Sequence, residues 1–462
     1  MKTSIHAILC ILLSAVLLSC EKIDRPEEHG HSGNVSLSEG QKIIFNPESV
    51  NEIHISMTKA QLNTLLLYYN RNQRTHQSVH CDVRYVCNGE ETLIEDAGIR
   101  LRGNTSRRRP YEGNKWVHFH IGLNFNKFVK DDAHRLYGTK KLVLKYFHED
   151  PTYVREIYGY DLFRRYGVWT AINANYCRLW IKHSDQSKET YMGVYGQMES
   201  ISQQFLNVRR EQFGSSEGNL WKCRYGARLN SLEESFGQDT GGDEEYVYEL
   251  KTDNCPFETA EAQLKNFIYA LNHTPDSEFH DWIASVCDVP LLLKTTAVNV
   301  VLGMWDDYWN NCNNFYLYFN STDPGKYKLF FIPYDYDNIL GTCNNCGVQT
   351  DAGRHDPFNW GKTTRPLINR ILACGDYREL YRSYLLELVD PAKGYFDIDA
   401  SLERIKEWQN MIVSYVRNDT NEDCSIADRP ASWGNHPEYR VTTRGRDNFF
   451  TVHTATIHKY CD

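Results

Sequence analysis

Residues 140–167 read KKLVLKYFHEDPTYVREIYGYDLFRRYG, and the fold class turns on this stretch. Leu142, Val143 and Leu144 make a short apolar run of strand type, closing a region that alternates apolar and polar residues from residue 51 to 145. Earlier runs of the same kind are Ile53-His54-Ile55, Ile99-Arg100-Leu101-Arg102 and Val117-His118-Phe119-His120-Ile121, which predict antiparallel sheet. From Asp150 to Tyr166 the period changes: Tyr153, Ile157, Tyr160, Leu162 and Phe163 recur at helical spacing, and Gly167 is placed to end the helix. A sheet followed by one helix outlines a small nucleotide-holding lobe. Beyond it, Tyr176–Ile181 and Met192–Gln197 read as strands, and residues 259–271 and 290–303 as helices. Two more strands, 315–319 and 328–333, precede a mostly helical remainder from Pro366, closed by a helix over 441–460 whose Arg444, Arg446, His453 and His458 suggest a solvated face.

The chain has 462 residues, 41% hydrophobic, 24% charged and 13% aromatic, which excludes disordered, collagen-like and coiled-coil classes. No repeat and no long linker breaks it after residue 40, so one continuous α+β unit is expected, with an antiparallel-sheet lobe over residues 41–200 and a mainly helical lobe over 201–462. With 60 acidic against 51 basic residues the net charge is −9, so no global basic field favours nucleic acid. Any anion must be held by a local cluster of cations or by a metal.

The first residues carry Lys2, an apolar run from Ile5 to Leu18, and then Ser19-Cys20. A small residue directly before cysteine, after an apolar run too short to span a bilayer, predicts a lipoprotein signal peptide over 1–19 with Cys20 lipidated and residues 20–40 as a tether. The expectation is a chain anchored to the bacterial envelope, on an outer-membrane face, through lipid alone. Twelve of the 14 cysteines remain after Cys10 and Cys20, and Cys81 with Cys87 or Cys343 with Cys346 are candidate bridges, the latter alternatively half of a zinc site with Cys312 and His355. His118 and His120 fall on one side of a strand, and the reading of them is solvent-facing.

The densest chemistry lies in Gly303-Met304-Trp305-Asp306-Asp307-Tyr308-Trp309-Asn310-Asn311-Cys312-Asn313-Asn314 and in Pro333-Tyr334-Asp335-Tyr336-Asp337-Asn338. Carboxylate and amide oxygens at strand ends suit Mg²⁺ or Mn²⁺, and a hairpin can bring Asn314 and Asp335 together about one ion. Asp306, left unligated, can orient an attacking hydroxyl. Asp and Asn also serve as turn formers and caps, and four acids in this window weigh against that reading for all of them.

These segments, with Gly98-Ile99-Arg100-Leu101-Arg102-Gly103-Asn104-Thr105-Ser106, the 140–163 stretch, Gly193-Val194-Tyr195, Gly218-Asn219-Leu220-Trp221-Lys222 and Ala297-Val298-Asn299, resemble the CotH family of atypical protein kinases. The resemblance implies a two-lobed protein-kinase-like fold that uses ATP and Mg²⁺ or Mn²⁺ to phosphorylate Ser or Thr of a secreted or surface protein. It implies Asp306 as catalytic base, Asn314 and Asp335 as metal ligands with Asp337 in support, and Arg102, Gly103, Asn104, Thr105 and Ser106 as the phosphate-covering turn. Lys145 and Glu156 are the phosphate-positioning pair, with Lys115 and Lys127 as alternative cations on earlier strands, and Asn311 rivals Asn314. Relatives carry Ile-Lys-Phe where this chain has Leu123-Asn124-Phe125. The competing class is a non-catalytic surface lipoprotein that binds a protein or glycan.

Overall fold

The computed structural model describes residues 37–131, 134–148, 150–342, 351–429 and 439–462. The expected leader, Cys20, most of the tether, and Cys343 with Cys346 lie outside the described residues.

The first half holds helix α1 (Leu37–Ile44), strand β1 (Val50–Met57), helix α2 (Lys59–Arg71), strands β2 (Val79–Cys87) and β3 (Glu90–Leu101), and a short hairpin, β4 (Tyr111–Glu112) with β5 (Lys115–Trp116). Strands β6 (Ile121–Asn124) and β7 (Lys141–Lys145), helix α3 (Arg155–Arg165), and strands β8 (Ala174–His183) and β9 (Thr190–Glu199) follow. Because α1 begins at Leu37, the end of the expected tether is helical.

The antiparallel sheet expected here closes into a barrel in the order β1-β2-β3-β6-β7-β9-β8. Alternating directions cannot be kept all the way round a ring of seven strands, so one parallel seam is required. It falls between β1 and β8, from Val50 opposite Tyr176 to Met57 opposite His183. Inward-facing residues at period two, among them Ile53, Ile55, Val83, Ile99, Leu101, Ile121, Leu142, Leu144 and Leu179, are fully buried. Each such side chain contributes about 1.5–3 kcal/mol by leaving water. Gln197, to which the sequence assigned no role, ties the barrel to the end of α1: its Nε2 donates to the Ile44 carbonyl (2.8 Å) and its Oε1 accepts from Tyr85 Oη (3.2 Å).

The second half is helical around a second sheet, which the sequence reading resolved only as isolated strands. Helices α4 (Gln203–Val208) and α5 (Arg210–Phe213) lead into β10 (Asn219–Cys223), β11 (Phe236–Gln238) and β12 (Tyr248–Leu250). Helices α6 (Phe257–His273), α7 (Asp276–Val286) and α8 (Val289–Val301) precede the hairpin β13 (Phe315–Phe319) and β14 (Leu329–Pro333). Helices α9 (Pro366–Ala373), α10 (Gly375–Val389), α11 (Ile398–Ile412) and α12 (Phe449–Cys461) complete the chain. The sheet runs β11-β12-β10-β13-β14. In α12 the expected solvated face is corrected at His453, which is fully buried with Nε2 2.9 Å from the Val300 carbonyl.

Helix α3 lies between the barrel and the second half and is buried from Arg155 to Phe163. A helix buried all round must pair its charges. Arg155 meets Asp150 (2.5 Å), and Asp161 accepts from Arg165 (2.8 Å) and Arg404 (2.5 Å). The helix starts five residues later than Asp150 because that carboxylate caps it, accepting from the Arg155 N–H at 2.9 Å. Gly167, at φ +80°, ends it in the left-handed conformation.

All ten described cysteines are free thiols, so the Cys81–Cys87 bridge is corrected. Both lie on β2, and six residues of strand span about 20 Å, far beyond the Cα separation a disulfide allows. No helix among the described residues is long and apolar enough to cross a membrane.

Candidate active site

The loop after α8 and the end of β14 meet at the mouth of the β13–β14 hairpin. Phe315 pairs with Pro333, so Asn314 and Tyr334 stand opposite each other, joined by the Tyr334 N–H to the Asn314 carbonyl (3.2 Å). Asn314 (φ +57°) and Asp335 (φ +63°) both take the left-handed conformation, which Asn and Asp tolerate better than most residues. It turns both side chains out of the strand direction at the same end of the sheet. The Asp335 N–H donates to Tyr160 Oη of α3 (2.8 Å), which fixes the acid against the barrel side. Gly159 lets this happen: a Cβ there would stand 3.0 Å from Ile339 of the same loop.

Lys145 ends β7 and reaches three carboxylates at once: Glu156 Oε2 at 2.6 Å, Asp335 Oδ1 at 2.5 Å and Asp337 Oδ2 at 3.4 Å. Lys145, not Lys115 or Lys127, is therefore the lysine set against Glu156. Burial opposes the ammonium charge, but the three acids hold its pKa well above the ordinary value. Burial pushes Glu156 up to about 8 and Asp337 up to about 6, against the attraction of Lys145. Asp335, also penalised by burial, is held below the ordinary carboxylate range by Lys145.

Oxygens of Glu156, Asp335 and Asp337 lie within 4.8 Å of one another. Three hard oxygen donors set around one ammonium fit Mg²⁺ or Mn²⁺, which would favour the ionised form of all three. The sequence had placed Glu156 only as the partner of Lys145; its place among the carboxylates was missed, because nothing in the order of residues shows that α3 brings it beside the 335–337 loop.

Asp306 is gripped by amides. It accepts from Asn311 Nδ2 (2.5 Å), Asn314 Nδ2 (2.9 Å) and, more distantly, Asn313 Nδ2 (3.4 Å). Burial raises its pKa to about 7, against the hydrogen bonds of Asn311 and Asn313 and with help from the negative charges of Asp335 and Asp337. A carboxylate near 7 is poised to take a proton at neutral pH. Both candidate amides, Asn311 and Asn314, thus bind Asp306. Behind them Asp307 is buried, accepting from Asn299 Nδ2 (2.5 Å), and Tyr336 Oη donates to Asn299 Oδ1 (2.9 Å). This chain ties the 306–314 loop to the 335–337 loop.

The Arg102–Ser106 turn meets the end of β14 through its first residue. Arg102 Nη2 donates to Tyr334 Oη (2.8 Å), one residue before Asp335. Gly103, at φ +97°, has no room for a side chain, since a Cβ would sit 2.9 Å from Ser106 Oγ. Asn104 and Thr105 form its exposed tip, with Ser106 half-buried. Close by, His118 and His120 are only 4% and 3% exposed, which corrects the solvent-facing reading. The residues before Ile121 cross inward instead of extending β6; His118 Nε2 lies 2.8 Å from the Met192 carbonyl, and His120 stacks on Tyr146. Burial and the charge of Lys145 push His120 well below the usual imidazole range, so it stands neutral beside the site.

A family model described as CotH kinase protein matches residues 99–443. No curated protein matches the chain. The matched span contains the Arg102–Ser106 turn, Lys145, Glu156, Asp306, Asn314, Asp335 and Asp337 in that order, and the chain belongs to the CotH kinase family.

Proposed function

We propose that this chain is an exported protein kinase that transfers the γ-phosphoryl group of ATP to a Ser or Thr hydroxyl of a secreted or surface protein. The observation that carries the reading is the Lys145 ammonium held between Glu156 on α3 and Asp335 at the end of β14, with Asp306 across the hairpin mouth. Phosphoryl transfer asks for positioning, charge neutralisation and a base rather than covalent chemistry. Glu156, Asp335 and Asp337 would hold a divalent metal, which would supply neutralising positive charge to the donor phosphates. Lys145 orients the donor phosphates from the barrel side, and Asp306 accepts the hydroxyl proton as the acceptor oxygen bonds to phosphorus and the bond to ADP oxygen breaks. The kinase-like division into a barrel lobe and a helical lobe, with the cleft between them, belongs to the same reading. Export and lipid anchoring rest on Leu17-Leu18-Ser19-Cys20.

The test is incorporation of labelled γ-phosphate into a Ser-rich acceptor with Mn²⁺ or Mg²⁺. Wild type should transfer, Asp306→Ala should lose about 10²–10⁴-fold, and Asp335→Ala should lose transfer together with metal binding. Transfer that survives both substitutions would sink the reading.

A further inference from the structure

The face that β3, β6 and β7 turn toward the second sheet carries an unusual set of side chains. Arg100 pairs with Gly122, which pairs with Val143; one row along, Gly98 pairs with Asn124, which pairs with Lys141. Residues directly opposite share a face, so Arg100 and Lys141 point the same way, as do Arg102, two residues on from Arg100, and Lys145, four on from Lys141. The stems of Arg100 and Arg102 lie over Gly122: a Cβ there would stand 3.0 Å from Arg102 Cδ and 3.2 Å from Arg100 Cγ. From the opposite sheet Lys222 of β10 extends toward Tyr334, its Nζ 5.8 Å from the ring centre.

The side chains of Arg100, Lys141 and Lys222 make no hydrogen bond or ion pair among the described residues. The nearby carboxylates are engaged elsewhere. Glu249 takes Arg224 (2.7 Å) and Lys251 (2.6 Å), Asp239 takes Lys251, and Glu245 takes Arg224 (3.0 Å). Burial, and after it the repulsion of neighbouring cations, lowers Arg100 to about 9 and Lys141 to about 8, and pushes Lys222 well below the ordinary lysine range. Arg100 and Lys222 are half-buried and Lys141 is exposed, and cations without a carboxylate partner are stabilised by an anion from outside.

We propose that Arg100, Lys141 and Lys222 form a phosphate-binding site on the sheet face beside the Lys145 centre and separate from it. Lys141 and Lys145 are four residues apart on β7, about 13 Å, which sets this site apart from the Lys145 centre. A phosphate dianion matches the three cations and suits the forked guanidinium of Arg100. That the Lys145 centre receives the transferred phosphate rests on the proposed function; anion binding at this site does not.

The experiment is calorimetric titration of the full chain with inorganic tripolyphosphate in EDTA. An Arg100→Gln/Lys141→Gln double variant should bind at least tenfold more weakly, Lys222→Gln severalfold more weakly, and Asp335→Asn no more weakly than wild type. Lys141→Arg should keep its affinity, and the double variant should still bind Mn²⁺ as wild type does, which shows its fold intact. Unchanged tripolyphosphate affinity in the double variant, no binding by wild type, or tighter binding of polyglutamate than of tripolyphosphate would each overturn the site. Tripolyphosphate binding without any labelled-phosphate transfer would remove the kinase reading and leave this site standing.

Discussion

Lys145 and Lys141 sit on one strand, on one face, four residues apart, and their surroundings are opposite. Lys145 is enclosed by Glu156, Asp335 and Asp337, and its charge is held on; Lys141 has its pKa lowered first by burial and then by Lys251, Arg100 and Arg102, against the attraction of Asp239. The same residue type on the same strand thus marks an acid end of the cleft, suited to a metal, and a cation end, suited to an anion. What separates them is which second-half element faces each lysine: the 335–337 loop in one case, β10 and the residue after β12 in the other.

The largest test of this comparison is loss of charge at each lysine. Lys145→Met leaves buried acids without their counter-charge and should cost about 3–5 kcal/mol in urea unfolding. Lys141→Met removes an unpaired charge and should stay within about 0.5 kcal/mol of wild type. Equal losses would break the distinction.

A smaller effect comes from pH, with opposite signs at the two ends. Glu156 and Asp337 have folded pKa values raised to about 8 and about 6, so the folded chain binds more protons than the unfolded chain from the ordinary carboxylate range up to about 8. Their contribution to stability therefore falls as pH rises through that window, and a metal ion relieves the repulsion that causes it. Thermal stabilisation by Mn²⁺ should grow from pH 5.5 to 8. Tripolyphosphate stabilisation should instead weaken as pH rises through about 8, where Lys141 loses its proton. Parallel pH trends for both ligands would contradict the division of the cleft.

The smallest expected effect is that of Gly122→Ala. The added Cβ meets only the movable stems of Arg100 and Arg102, so tripolyphosphate affinity should fall by a few-fold, with Mn²⁺ affinity unchanged. A loss of Mn²⁺ binding in this variant would show that the two ends are not separable.

Much of the site was legible because it lies at local punctuation. Asp306, Asn314 and Asp335 stand at strand and loop ends, and Gly167 marks the end of a helix whose residues repeat at its period. The remainder depends on contacts between distant segments. Val117–Ile121 alternates like a strand, yet His118 and His120 are enclosed because the chain crosses toward Met192 and Tyr146 there. The barrel depends on β1 meeting β8, and no local period announces a parallel pairing across the intervening chain. The cation end was missed for the same reason: Arg100, Lys141 and Lys222 belong to β3, β7 and β10, and each alone reads as a solvated charge.

The parallel seam between β1 and β8 also orders events in time. Residue Val50 finds its neighbour Tyr176 only after the chain through β8 has been made, so the barrel cannot close on the segments that precede it. Until then β1 offers an unpaired edge, and closing a loop of that length is slow compared with forming the β2–β3 hairpin. Folding of this half should therefore wait on β8, leaving β1 exposed in the interval to chaperones, or to the β1 of another copy.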